Sequence, residues 1–224
     1  MRTILEGLHS LAEAHNTTGP NHRESKISPM QTGNYFAFLA RIALADPGVF
    51  VTMLATVGGP LGPTWKWFSG TWFAHFDQVC DLDRQKELCL ALTRLCELPS
   101  PMQELCLSSL QDYLSMWTSV VVELRIGADD KPGRDTLVWD ADSKAQNVSE
   151  WDTPVDVYRR QFAFKDPVHT VVAYDYIRAR LEDLVRRAGG GQAFQENWAV
   201  NVDKEVLDGF HRLSLPPQPE DMDN

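Results

Sequence analysis

The residues of this chain best suited to chemistry are its six histidines and four cysteines, and their spacing decides what is open to them. His75 stands two residues before Asp77, an arrangement compatible with acid–base work or metal binding. Either task wants a second His at helical spacing, an H-E-x-x-H pattern, or an H-x-E with a C-x-x-C, and the sequence holds none of them. His75 therefore reads as a helix-face residue. His169 follows Asp166-Pro167 with no evident base or nucleophile, and reads as a local hydrogen-bonding group in the turn before a long helix. Cys80, Cys89, Cys96 and Cys106 are irregularly spaced inside apolar helical patterns, with no C-x-x-C pair and no electropositive context. They read as small buried hydrophobes in a reducing compartment. Gly58-Gly59-Pro60 and Gly189-Gly190-Gly191 lack a following Lys-Ser/Thr and a preceding strand, so they are breakers and not phosphate cradles. There is no G-x-S-x-G elbow. No catalytic, cofactor-binding or metal-binding residue is assigned. A hydrolase resting on Cys89 or His169 is the weakest reading, and the chain is expected to bind and not to catalyse.

Composition points the same way. The chain has 224 residues, of which 43% are hydrophobic and 23% charged, proportions ordinary for a folded protein. Lys and Arg number 21 against 31 Asp and Glu, giving a net charge of −10. That balance argues against nucleic acid as the main partner, because phosphate binding needs clustered Lys and Arg. It permits a basic protein partner. No apolar run approaches the roughly 18 residues of a membrane span, and Met1 to His15 is amphipathic without a signal-peptide core. An intracellular protein with no membrane partner is expected.

The apolar periodicity predicts helices throughout. They run near residues 2–15, Tyr35 to Ala45, Pro47 to Thr56, Trp65 to Val79, Asp83 to Glu97 and Met102 to Glu123. Further helices are expected near Val155 to Phe164, Val171 to Ala188, Gln192 to Val200 and Asp203 to Leu213. Asp46-Pro47 makes a tight turn between two of them, since the residue before Pro leaves helical space and Pro is a favoured first helical residue. Val120-Val121-Val122 is β-branched and leaves room for strand character. The expected fold is all-α, a HEAT-like α-solenoid of antiparallel helix pairs at a period near 40–47 residues, although a helical bundle gives a similar pattern. Residues 1–126 form its first helical repeats. Residues 127–154 are rich in Asp and poor in large apolar residues, and are expected to be an acidic, disordered insert. Residues 155–213 form C-terminal repeats, and 214–224, with Pro216, Pro217 and Pro219, a disordered tail.

Within the last helices, Val155-Asp156-Val157-Tyr158-Arg159-Arg160-Gln161 precedes Lys165-Asp166-Pro167-Val168-His169-Thr170-Val171. Tyr174 to Leu181, Phe194-Gln195-Glu196 and Val202 to Val206 follow. That order resembles the C-terminal end of the importin-β superfamily, or karyopherins, nearest its importin eleven branch. Tyr35 to Ile42 with Asp46-Pro47-Gly48-Val49-Phe50 resembles a helix pair of the same family. Asp166, Pro167, Val168 and His169 are the signature residues of the likeness.

The resemblance implies a nuclear transport receptor that shuttles between nucleus and cytoplasm, holding protein cargo and the Phe-Gly nucleoporins of the pore. Ran-GTP binding belongs to N-terminal repeats that this chain lacks, so it is implied only for a full-length form. On that reading Leu5, Leu8 and Leu11 mark an apolar end left without its cap. The aromatic segment has two readings. Trp65, Trp67, Trp72 and Phe73 either fill the core between paired helices or line a groove for apolar side chains of a partner. The alternative to a transport receptor is a helical scaffold or adaptor with no transport role.

Overall fold

The computed structural model describes residues 2–16, 25, 27–126, 134–139 and 151–214, which are helical with no strand among them. Among the described residues, seven helices precede the acidic insert: α1 (Arg2–Asn16), α2 (Pro29–Ala45), α3 (Pro47–Gly58), α4 (Leu61–Phe76), α5 (Leu82–Leu95), α6 (Met102–Ser108) and α7 (Leu110–Arg125). Five follow it: α8 (Pro154–Ala163), α9 (Pro167–Thr170), α10 (Ala173–Arg187), α11 (Gly191–Asn197) and α12 (Lys204–Arg212). A 3-10 turn at Ala199–Asn201 separates the last two.

Local chemistry sets the helix ends. Ser28 and Gln31 form a reciprocal capping box at the start of α2, a turn earlier than the apolar pattern alone indicates. Asp46 ends α2 in extended backbone, and its carboxylate accepts the Val49 N–H at 2.9 Å to begin α3, with Pro47 in the first turn. Gly59 closes α3 at φ +94°, a backbone angle that other side chains rarely adopt. Two expectations are corrected. The helix from Met102 to Glu123 breaks at Ser109, whose N–H donates to the Cys106 carbonyl, leaving α6 and α7. Val120 to Val122 are helical; Val120 and Val121 are buried, and tertiary burial outweighs their β-branched preference.

The helices stack around α5. It packs against α2, α7, α9 and α10, while α4 lies against α1 and α3, and α12 covers α7. Every residue from Gln85 to Thr93 is buried, so α5 is enclosed on all sides. One apolar core runs from Leu5 through Trp72, Leu88 and Trp117 to Ile177, Leu184 and Leu213, joining residues on both sides of the insert. Leu5 and Leu8 belong to that core and are not an exposed end, because α1 lays them against α3 and α4.

The insert also departs from expectation. Arg134 to Trp139 is packed against the helices, with Asp135 only 6% exposed. Residues 151–154 of the insert are also described, with Thr153 and Pro154 beginning α8, as is Ser214 of the tail; the rest of 127–154 and of 214–224 falls outside the described residues.

Candidate functional site

The packed stretch of insert, the signature turn and the polar end of α5 meet in one place. Leu82–Leu95 carries Gln85, Lys86 and Glu87 in succession, three polar residues that its neighbours enclose. Burying polar groups is costly unless each finds a partner; each of the three side chains has one, although Gln85 Oε1 is buried without a hydrogen bond. The Gln85 side-chain amide donates to the Val79 carbonyl at 2.6 Å. The Lys86 ammonium, 0% exposed, lies 2.8 Å from Asp135 Oδ2. The same carboxylate accepts the Ala173 N–H at 3.0 Å and the Leu137 N–H at 3.1 Å. Burial pushes Lys86 below its ordinary pKa, and the Asp135 carboxylate opposes that shift. On the other side Glu87 pairs with Arg41 and Arg84. Burial raises its pKa while the two guanidinium groups pull it back. Arg41 also bonds Asp166 at 2.6 Å, tying α2 to the signature turn.

The four signature residues are therefore a fastening. Asp166 caps α9 through the Val168 N–H at 3.0 Å, Pro167 opens it, and Val168 is buried. His169 is expected to bond locally within its turn; instead its Nδ1–H donates to the Leu137 carbonyl of the insert at 3.1 Å, 32 positions away. Its ring stacks on Trp139 at 4.0 Å, and the Trp139 N–H donates to the His169 carbonyl at 3.0 Å. Sequence reasoning missed Lys86, Glu87, Arg41 and Asp135. Little signal was available, since Lys86-Glu87 close the polar run Asp83-Arg84-Gln85-Lys86-Glu87 that opens α5 and reads as a solvated first turn.

The aromatic segment resolves mainly in favour of core. Trp65, Trp72 and Phe73 are buried, with Trp72 against Phe36, Phe50 and Phe68. Trp67 is partly buried and meets His9 edge-on at 4.9 Å. Three of the four residues expected to line a groove thus face the interior, because α4 is covered by α1, α2, α3 and α7. The open apolar cleft lies elsewhere, between the end of α7, the insert and the start of α10. It measures about 260 Å³ and is lined by Val121, Leu124, Val138, Val172 and Tyr174. Arg125 stands over the Tyr174 ring at 4.7 Å, giving the cleft a cationic edge. A second, polar cleft of about 250 Å³ surrounds Glu87, Arg41 and Arg84.

Of the residues first considered for chemistry, His75 is half-buried and three of the four cysteines are buried. His75 stacks on Phe36 at 5.0 Å, and burial, then Arg84, lowers its pKa. A depressed His contributes stability that is present above the unfolded-state pKa of 6.5 and is lost as pH falls through the lower folded-state value. Mild acid should therefore destabilise the protein, and His75→Phe should flatten the melting temperature between pH 7 and pH 5; an unchanged pH profile would contradict this assignment. Cys89, Cys96 and Cys106 are buried, whereas Cys80 is exposed, against the expectation that all four lie inside. Burial pushes the Cys89 thiol up to about 12 and raises Cys96 as well, which keeps both as thiols. Among the described residues, no three His, Cys, Asp or Glu side chains group so as to hold a metal ion, and no helix is long and apolar enough to cross a membrane.

The family model for importin-11-like proteins, TPR repeats, matches residues 1–215. The chain belongs to this importin-11-like family. Neither the curated proteins nor the solved structures contain a significant match to it. The importin-11-like repeats agree with the all-α stacking described above. The match names them TPR units where a HEAT-like array was expected, and both are stacked helix pairs. The family is one of transport receptors and not of enzymes.

Proposed function

We propose that this importin-11-like chain is the protein-binding portion of a nuclear transport receptor, active in nucleus and cytoplasm and at the pore between them. The family match over residues 1–215 carries the reading. The fold supports it: stacked helices leave an apolar cleft of single-side-chain size, as a receptor for peptide segments requires. Phe-Gly nucleoporins would place a Phe there, beside Val172 and Tyr174. Protein cargo with basic segments would be drawn by the net charge of −10. Ran-GTP would act only on a longer form, releasing cargo through its higher affinity for one state of the solenoid.

Basic-cargo recognition is tested with a lysine-rich fluorescent peptide. Its affinity should fall about tenfold between ~50 and ~300 mM salt, because exposed charges are screened over about 10 Å or less in this range. Replacing Asp140, Asp142 and Glu150 by their amides should weaken binding at low salt. These positions leave Asp135 in place, whereas deleting the whole insert would also remove the partner of Lys86. A salt-independent affinity, or none, would contradict the basic-cargo reading.

A further inference from the structure

We infer that residues 134–139 are a movable strap that completes the apolar cleft, so that the cleft is filled only while the strap is docked. The inference deepens the reading of that cleft as the Phe-Gly site and rests on it. Every wall of the cleft depends on the strap. Val138 is one wall outright. A second is the start of α10, where Val172 and Tyr174 flank Ala173, whose N–H donates to Asp135 Oδ2 at 3.0 Å. The third is the end of α7, and there the Leu124 carbonyl accepts the Thr136 N–H at 3.0 Å. Asp135 is the shared fastening. Its Oδ1 accepts the Leu137 N–H within the strap at 3.1 Å, and its Oδ2 also meets the buried Lys86. When the strap leaves, the cleft loses Val138 and the first amide of α10 loses its acceptor together.

The strap is built to part from the helices before they part from one another. Asp135 is its one buried residue; Thr136 is exposed, and Arg134, Leu137, Val138 and Trp139 are half-buried. In α5, by contrast, every residue from Gln85 to Thr93 is buried. The pairing of Asp135 with Lys86 adds little net stability to the docked strap, because taking both charges out of water offsets most of their attraction. Water entering beneath a lifted strap solvates both. What remains is a few hydrogen bonds, the packing of Leu137 on the core and the stack of Trp139 on His169 at 4.0 Å. Segments held by so few buried apolar contacts open locally, below the free energy of global unfolding. A ligand that binds only the docked form slows that opening by the factor 1 + [L]/Kd. Trp139 does not line the cleft, yet it belongs to the strap and so reports occupancy from a distance.

Native-state hydrogen exchange of the whole chain, read residue by residue by NMR, tests the strap with and without ligand. In the free chain the amides of Thr136, Leu137, Trp139 and Ala173 should share one opening, their protection agreeing within about threefold. They should exchange about tenfold or more faster than Leu90 and Leu92 of α5. A Phe-Gly repeat peptide at about ten times its Kd should slow all four by about elevenfold. Trp139→Ala removes the stack on His169 without touching the cleft. It should speed the Ala173 amide several-fold and leave Leu90 unchanged. Four amides that exchange only with α5, or at unrelated rates, would overturn the inference, as would an Ala173 amide indifferent to Trp139→Ala. A peptide that binds without slowing the four amides would overturn the coupling and leave the Phe-Gly reading standing. A peptide that does not bind would contradict that reading and the coupling with it.

Discussion

Asp135→Ala is expected to lower the unfolding free energy by about 3–5 kcal/mol, because it strands a fully buried ammonium. The loss should register in urea as a lower midpoint with little change in slope. Three donors lose their acceptor together: Lys86 Nζ and the amides of Leu137 and Ala173. The amide of Ala173 opens α10, so the start of that helix should loosen as well. Lys86→Met alone is expected to cost less than half as much, since the Asp135 carboxylate keeps its two amide donors. In the Lys86→Met background Asp135→Ala should therefore cost only about 1–2 kcal/mol, the remainder being coupling between the pair. The pH dependence has a defined sign. Burial holds the folded-state pKa of Lys86 below 10.5, so the unfolded chain binds more protons just beneath that value and stability rises with pH there. The deficit of Asp135→Ala should shrink in the same window. Additive effects of the two substitutions would contradict the pairing.

Trp72→Ala should cost a further class of energy, about 3–5 kcal/mol, by opening a cavity among Phe36, Phe50 and Phe68. Trp72→Phe should cost roughly 1–2 kcal/mol, because the indole N–H of Trp72 is buried without a hydrogen-bond partner and little is lost with it. Trp117 is the contrast. Its N–H donates to Thr93 Oγ1 at 2.8 Å, so Trp117→Phe leaves that buried hydroxyl without its donor and should cost more than Trp72→Phe. A Trp72→Ala chain as stable as the parent would return Trp72 to a groove.

The helices were legible because apolar periodicity and capping residues are local properties. Asp46-Pro47 and Gly59 marked turns where the structure has them; α3 starts at Pro47 as expected and ends two residues later, and α5 is shifted by one residue at its start and two at its end. The break at Ser109 was not legible, since no Pro or Gly interrupts the apolar pattern there. Nor was the fastening of the insert. Asp135 reads as one more acid in an acidic run until Lys86, 49 positions away by number, is seen beneath it. The aromatic segment was ambiguous for a related reason. Composition gives Trp its preference for buried or half-buried settings, and only the covering helices decide between core and groove. The family likeness was readable from motif order in residues 155–213, and two of those motif residues, Asp166 and His169, act as structural pins.

The most direct test of the receptor assignment is a titration of the folded chain with a Phe-Gly repeat peptide, followed by NMR or intrinsic fluorescence. The account predicts saturable micromolar-to-millimolar binding that a Phe→Ser peptide loses and that Val172→Arg, at the mouth of the apolar cleft, weakens several-fold while leaving the melting temperature unchanged. Absence of binding, or binding equal for the Phe→Ser peptide, would contradict it and leave a helical scaffold without a transport role.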